Sequence, residues 1–596
     1  MGLQIGGSER MIEFTEEQND YLYSNVNEHV FLEACPGSGK TEVVARKFAR
    51  EVSNWKKSPG GIAILSFTNS ATDELVTRIS KYLPTAGKLF PHTVGTFDSF
   101  ILKNVVNPLA RNLTNFTGKD GDFSIRIVDK SSNLHGYKTK YGIAGVGPVS
   151  AHQFSLGGED LSFSFDTGES GRDRKLNSHS LEDWQQKDLL QAKSRMWSSG
   201  FATYADIEYL AIEALTKQAY REFLRKLARR FPLIIIDECQ DLSFDHLLIL
   251  RCLSEEGVKL HFIGDLHQAI YSFRDVDPEK VKQFVKEKNF IPLKLTRNFR
   301  SCQNIINLCG KLTGRTEIVG QASSLSPSCH LLQYEKCPTE LIEEFSKYSE
   351  RFDNVVLLGR GYSLLSKFDS SLSSLKPIHR LALAIRKIQK RDNNYIKESL
   401  VLFSDFLRIN VGETVKPNSY SCPEKVNSNL RWRKFLFSSL KYIAKQNIDM
   451  NLTWSEWAKS IGATLRNISS QPFVCEELKP IVSPLDSIKL RAPSGQSKAS
   501  VESTLGEAKT LGTIRKKTTI HQAKGQTHDV TILVSSSDGR GSKGAYWKDW
   551  LNDQRSEEAR FAYVASSRPK YILVWAVKRL NKKERKVLSD IGFHIH

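Results

Sequence analysis

The sequence predicts an α/β protein built on doubly wound parallel sheets, arranged as two cores. Three observations carry this reading. Short β-branched runs recur: VFLEA (30–34), IAILSF (62–67), LIIID (233–237) and LHFIGD (260–265). Each is followed by turn residues and then a helical pattern, as expected of parallel strands buried on both faces. Strands alternating with helices indicate a doubly wound sheet. A second series, VVLLG (355–359), VTILV (530–534) and YILVWAV (571–577), lies far downstream and implies a second core. Finally, 596 residues exceed what one hydrophobic core accommodates.

The segments between strands are uneven. From about 103 to 200 the α/β rhythm stops, and YGIAGVGPVSAHQFSLGGED suggests loops or a hairpin. From about 371 to 509 the pattern is mainly helical, ending in the Ser/Gly/Lys-rich APSGQSKASVEST. Both stretches read as insertions. The expected division is 11–102 with 201–290 as the first core and 103–200 as its insertion. A second core takes 291–370 with 505–596, and its insertion takes 371–504. No repeat of solenoid period is evident.

Lysine and arginine total 85 against 66 acidic residues, a formal charge of +19. That excess favours a polyanionic partner, because each neutralised phosphate releases condensed counterions. The nine cysteines form no C-x-x-C pair and no His/Cys cluster at metal-ligand spacing, which fits a reducing, cytoplasmic setting and disfavours a secreted disulfide scaffold. No apolar run approaches the roughly 20 residues that a bilayer requires, so no membrane partner is expected. The start, MGLQIGGSER, lacks the features of a signal peptide and reads as a leader, with Met11 as an alternative first residue.

The strongest motif is ACPGSGKT, Ala34 to Thr41, between a predicted strand and helix. Small residues let backbone N–H groups wrap phosphates, and the following helix adds its positive dipole end. Pro36, Gly37, Ser38 and Gly39 form the turn; Gly37 and Gly39 are expected at positive φ. Lys40 would meet β- and γ-phosphate oxygens and the Thr41 hydroxyl would ligate magnesium, making ATP with Mg2+ the expected cofactors. Ala34 stands where the general pattern has glycine. The second signal is IIIDECQD, 234–241. Asp237, ending a buried strand, suits a magnesium ligand, and Glu238 suits a base that polarises the attacking water. Solvent exposure after a strand explains one carboxylate but not DE and QD together.

DECQD resembles the second motif of UvrD/Rep/PcrA-like superfamily 1 helicases, and further matches follow in order over most of the chain. FTEEQ (14–18) resembles the Q-motif, which implies that Gln18 reads adenine. SFTNSATDELVTRI (66–79) is similar to motif Ia, TVGTFDSF (93–100) to Ib, and TYADIEYLA (203–211) to the segment before motif II. GDLHQAIYSFRDVD (264–277) resembles motif III, LTRNFRSCQNI (295–305) motif IV, TIHQAKGQTHD (519–529) motif V and EEARFAYVASSRPK (557–570) motif VI.

The resemblance implies two RecA-like P-loop cores, each with a largely helical insertion, and a nucleic-acid-driven ATPase. By it, Gln268 senses the γ-phosphate, Arg300 and Arg568 contact it from the second core, Phe299 stacks on adenine and Gly525 lies in the nucleotide site. Phe67, Thr96, Tyr271, Phe273, Arg274 and His521 align with positions that hold DNA. The implied partner is single-stranded or tailed DNA, and the implied polarity is 3′→5′.

Three departures stand out. Motif V continues Gln526-Thr527-His528 where the family commonly has a glutamate near the ribose. Motif VI has Ser567 and Pro569 in place of Thr and Ala. The insertions are also shorter than in housekeeping members. This compactness resembles the helicase-like subunits of bacterial antiphage defence, such as the Gabija helicase subunit, and implies a separate nuclease or other defence subunit as partner. A strand-separating translocase and a DNA-stimulated ATPase regulating a nuclease are the two leading expectations. A non-motor protein with a degenerate site is disfavoured by the presence of Lys40, Thr41, Asp237, Glu238, Arg300 and Arg568.

Overall fold

The structure, a computed structural model, describes residues 13–83, 89–129, 132, 134, 136–271, 276–323, 325–368, 376–389, 393–411, 422–423, 426, 428–493, 496–506, 516–540 and 542–596. The chain folds as two compact units. The first comprises Met1–Leu331, Ile520–Trp575 and Leu580–His596; the second comprises Leu332–Thr519 and Ala576–Arg579.

In the first unit the predicted β-branched runs pair as a six-stranded parallel sheet. Its order is Ile291–Leu295, Val30–Ala34, Lys259–Gly264, Leu233–Asp237, Ile62–Ser66, Thr93–Thr96. Burial on both faces explains why these runs are apolar throughout rather than alternating: Ile62 to Ser66 and Leu233 to Asp237 are buried at every position. One face packs Phe97, Phe100, Ile234, Ile236 and Phe262; the other packs Phe48, Ile62, Ile64, Leu233 and Ile235. The strand order places the Val30–Ala34 strand and the Leu233–Asp237 strand on either side of Lys259–Gly264. The loops that leave their C-terminal ends are therefore neighbours, the usual ligand position in such sheets.

The Gly/Ser-rich segment does contain the expected hairpin, Phe154–Gly157 antiparallel to Ser162–Phe165. It is flanked by helices Asn107–Thr114, Ser170–Asn177 and Asp183–Ser198, which the loop reading did not anticipate. These helices attach to the sheet's core through Leu189, Ala192 and Met196, all fully buried. A further strand group follows the order His528–Val534, Pro569–Lys578, Cys329–Tyr334, His594–Ile595.

The second unit holds the parallel pair Val355–Gly359 and Lys516–Thr519, in register Val356 with Lys516. Its helices include Pro377–Ile388, Asn393–Val411, Asn429–Lys445 and Trp454–Arg466. They close over an aromatic core of Phe403, Phe406, Trp432, Phe435, Trp454 and Trp457, matching the helical pattern read from the sequence. Among the described residues no helix is long and apolar enough to cross a membrane.

One buried ion pair ties helix Asp183–Ser198 to helix Tyr204–Thr216. Lys193 Nζ lies 2.6 Å from Asp206 Oδ1, and both side chains are almost wholly buried. Removing one partner strands the other charge in the core, whereas replacing both with apolar groups does not. Lys193→Ala is expected to lower unfolding stability by about 3–5 kcal/mol. Lys193→Met combined with Asp206→Leu should recover most of the loss in urea denaturation.

Candidate nucleotide site and nucleic-acid face

The loop after Val30–Ala34 turns through Cys35 to Gly39 before helix Lys40–Ser53 begins. Gly37 and Gly39 take φ of +68° and +76°, as the motif predicts. At Gly37 a side chain is excluded twice over, since a Cβ there would sit 2.6 Å from the Arg300 Cβ. Ala34 ends the strand, fully buried, and Thr41 lies in the helix's first turn.

Lys40 reaches the second motif. Its Nζ is 3.1 Å from Asp237 Oδ1 and 2.5 Å from Glu238 Oε1. Burial opposes the charge on Lys40, but the two carboxylates overcome it and hold the ammonium well above the usual lysine range. Burial also works against Glu238, yet Lys40 and Lys524 hold it down to about 2. One ammonium thus holds together two adjacent carboxylates, Asp237 buried and Glu238 partly exposed. Glu238 has φ +62°, an uncommon conformation for a residue with a side chain, and strain of this kind concentrates at functional positions.

From Glu238 a chain of buried polar groups runs to the motif VI arginine. Gln240 Nε2 donates to Glu238 Oε2, while Gln240 Oε1 accepts from the Asp265 N–H at 3.1 Å. Asp265 Oδ2 accepts from Gln268 Nε2 at 2.9 Å and from the Tyr563 hydroxyl at 3.0 Å; its Oδ1 meets Arg315 at 3.2 Å. Gln268 Oε1 then accepts from Arg568 at 2.8 Å. Each amide orients its neighbour, because a glutamine that donates at one end presents its carbonyl at the other. Gly264 makes room for this chain: a Cβ there would sit 2.2 Å from Gln240 Oε1.

Arg300 and Arg568 lie together. Arg300 donates to the Ser567 carbonyl at 3.1 Å, and Arg568 donates to Ser567 Oγ at 3.0 Å. Burial and the neighbouring Arg568 push Arg300 down to about 9. Burial likewise lowers Arg568. Two desolvated guanidiniums side by side favour an anion between them. The backbone of the motif VI segment also accepts at Pro569, whose carbonyl takes the Ser301 Oγ hydrogen bond at 2.7 Å.

Asn298, to which the sequence reading gave no role, is fully buried and joins the arginine strand to the phosphate loop. Its Nδ2 donates to the Pro36 carbonyl, and its Oδ1 accepts from the backbone of Arg300 at 2.8 Å and Ser301 at 2.7 Å. The Phe299 N–H donates to the Gly37 carbonyl at 2.8 Å. The one signal in the sequence was an amide next to the motif's aromatic–arginine pair. Phe299 is 43% exposed and forms part of a cavity of about 480 Å3 with Arg300, Gln321, Ser323 and Tyr571.

Gln18 is engaged within the protein. Its Oε1 accepts from the Thr15 N–H and its Nε2 donates to the Ser38 carbonyl, both at 2.9 Å. An amide offers two donors and two lone pairs, so half of its capacity remains for a base. Gly525, exposed with φ +83°, follows the short helix Ile520–Ala523. His528 is fully buried, with Nδ1 2.9 Å from Thr531 Oγ1 and Nε2 3.1 Å from Gln526 Oε1. Two of the three departing motif V residues thus brace one another.

The nucleic-acid positions divide. Phe67 is half-buried and lies parallel to Phe97 at 6.2 Å. Tyr271 sits 5.6 Å from the His521 ring and 4.9 Å from Lys524 Nζ, and His521 Nε2 is 3.0 Å from the Ile270 carbonyl. Lys524 also bonds Asp241, at 2.6 Å and 2.7 Å to its two oxygens. Burial raises Asp241 to about 6 despite that lysine. Motif V is thereby fastened to both motif II and motif III. Thr96 caps helix Phe97–Ile101, accepting from the Ser99 N–H, so its hydroxyl is already used locally. Phe273 and Arg274 lie outside the described residues.

Residues 14–289 match the UvrD/REP helicase N-terminal domain. DNA helicase II of Haemophilus influenzae is 22% identical over 425 residues, covering 66% of this chain and 54% of that protein. ATP-dependent DNA helicase PcrA of Bacillus subtilis is 26% identical over 288 residues, 48% of this chain and 37% of that protein. ATP-dependent DNA helicase Rep of Buchnera aphidicola is 24% identical over 289 residues, 47% of this chain and 42% of that protein. The chain matches about half, or less, of the length of these relatives.

Asn298→Ala would leave the Pro36 carbonyl and two backbone N–H groups without their partner. An unsatisfied buried group costs about 1–3 kcal/mol. A destabilisation of that size, seen as an earlier thermal transition by tryptophan fluorescence, is expected. An unchanged transition would mean that the amide does not couple strand to loop.

Proposed function

We propose that the chain, whose residues 14–289 match the UvrD/REP helicase N-terminal domain, is a DNA-stimulated ATPase that moves along single-stranded DNA. The observation that carries this reading is the continuous polar line from Lys40 through Asp237, Glu238, Gln240, Asp265 and Gln268 to Arg568, buried from Gln240 onward. It joins the group that grips phosphate to the group that answers its charge.

In this reading the triphosphate lies on the loop N–H groups and takes Lys40 away from the two carboxylates. Thr41 and Asp237 are an oxygen donor set suited to Mg2+, which would neutralise phosphate charge when bound. Glu238, kept ionised, orients the attacking water. Arg300 and Arg568 meet the γ-phosphate, where charge spreads over the transferring oxygens. Phe299 and the cavity beside it receive the base, with Gln18 at its edge. Loss of the γ-phosphate removes the anion that reconciles the two guanidiniums, and Gln268 passes that change along motif III to Tyr271. Tyr271 lies against His521 of motif V, with Phe67 as a stacking face for bases, worth roughly 1–3 kcal/mol each.

The finer assignment is a 3′→5′ helicase acting with a separate nuclease or defence subunit. It rests on motif resemblance and on the chain's compactness. The net charge of +19 supports a nucleic-acid track.

Lys40→Ala and Glu238→Gln are each expected to reduce DNA-stimulated ATP hydrolysis by on the order of 100-fold or more. Arg568→Ala should lower kcat by about 1,000-fold, the lower end for a γ-phosphate arginine. Stimulated hydrolysis that survives in the first two variants would remove the assigned site. Phe67→Ala should weaken single-strand binding roughly 5- to 150-fold while leaving basal hydrolysis intact, read by fluorescence anisotropy. Strand displacement on 3′- and 5′-tailed duplexes separates the translocating helicase from the regulatory ATPase, which would hydrolyse ATP without displacing either.

A further inference from the structure

Among the described residues one group of potential metal ligands converges outside the nucleotide site; a set of three histidines elsewhere has its rings close but its nitrogens not yet convergent. Among the described residues, Asp98, Glu208 and His246 place ligand atoms within 4.8 Å of one another. In that cluster His246 Nδ1 accepts the Ser243 N–H at 3.2 Å, so the ring proton resides on Nε2, which faces Glu208 Oε1 at 3.3 Å. A nitrogen that carries a proton has no lone pair to give. With Nδ1 accepting the Ser243 N–H, the buried imidazole presents a protonated Nε2 to the cluster and no nitrogen lone pair.

The second cluster forms at the edge of the Cys329–Tyr334 strand. His330 pairs in parallel register with His594, and Leu331 with Ile595. Side chains two residues apart on a strand share a face, and register partners share it too. His330, His594 and His596 therefore project from the same side. Their rings are close: centroids are 5.1 Å apart for His330 and His596, 4.8 Å for His594 and His596, and 6.2 Å for His330 and His594.

Here the protons are arranged the other way. His330 Nε2 lies 3.0 Å from the Pro327 carbonyl, which can only accept, so Nε2 bears the proton and Nδ1 keeps its lone pair. That Nδ1 faces His596 Nε2 at 2.8 Å. A histidine whose far N–H is fixed on a backbone carbonyl is the usual state of a metal-bound imidazole. Tetrahedral zinc, with Zn–N of about 2.0–2.1 Å, sets ligand nitrogens roughly 3.3 Å apart, a small widening of the present pair.

We propose that His330, His594 and His596 form a surface site for a divalent transition metal of the zinc class. The ion takes the lone pair of His330 Nδ1 and that of His596 Nε2. His596 moves its ring proton to Nδ1 through solvent, so no net charge is lost from the protein. His594, exposed on the same face, turns to supply the third nitrogen, and water completes the shell. Imidazole donors of this kind suit zinc, copper or nickel and do not suit magnesium, so the site is chemically separate from the nucleotide pocket. Its effect is a clip: the two-residue strand His594–Ile595, with helix Lys582–Ile591 before it, is fastened to Cys329–Tyr334. Linear spacing offered no His/Cys cluster, because the third ligand is 264 positions away and only strand pairing brings it near.

The test uses the full chain without an affinity tag, stripped with chelator and kept reduced, titrated with Zn2+ against a chromophoric chelator. The parent should bind one equivalent more than the His594→Ala/His596→Ala double variant. Zn2+ should also raise the thermal midpoint of the parent and leave that of the variant unmoved. Both changed residues are exposed, and far-UV circular dichroism checks that the variant is folded. His330→Ala, assayed alone, should lose the same equivalent. Equal stoichiometry in parent and variants, or a Zn2+ shift that survives in the double variant, overturns the proposal.

Discussion

Two carboxylates on consecutive residues, the buried Asp237 and the partly exposed Glu238, lie side by side, and their mutual repulsion is contained by a single ammonium. Lys40 supplies it from the other side of the sheet's central strand. Burial makes each of these charges expensive alone, and proximity makes them tolerable together. The arrangement has an immediate functional meaning. Under the proposed function, a triphosphate that took Lys40 would have to offer the carboxylates something in return, and a divalent cation is a species that could do so. Phosphate and metal would then be interdependent occupants.

The same constraint governs the polar chain that leads away from Glu238. Gln240, Asp265 and Gln268 are buried, so each hydrogen bond has few alternatives, and a change at one end has nowhere to dissipate. At the far end Arg568 and Arg300 lack the compensation that Lys40 has; they are held by carbonyls and a hydroxyl rather than by carboxylates. The pocket is balanced at its carboxylate end and electron-poor at its arginine end, a polarity suited to a ligand with a metal at one side and a free phosphoryl group at the other.

Motif residues with no obvious chemistry turn out to build this arrangement. Asn298 connects the arginine strand to the phosphate loop, and Gly264 vacates the space that Gln240 fills. Ser567, Pro569 and His528 depart from the family pattern in sequence. The backbone carbonyls of Ser567 and Pro569 still accept from Arg300 and Ser301, bonds that do not depend on the side chains at those positions, and His528 is held by Thr531.

Much of this was legible from residues in order. The buried parallel strands announced themselves because a strand covered on both faces must be apolar at every position. The glycine loop did so because phosphate wrapping needs positive φ at fixed spacing, and Gly37 and Gly39 have it. Local chemistry with a fixed period or spacing survives in a linear string. What the string could not contain was partnership across distance: the ion pair of Lys193 with Asp206, the amide chain ending at Arg568, and the three histidines whose nearness depends on strand register. Nor could it show where a side chain's capacity is spent, as Gln18 and Thr96 illustrate by bonding their own neighbours. A sequence determines which groups are available and how the backbone repeats; folding decides which of them are desolvated together, and desolvation is what gives a charge or an amide its strength.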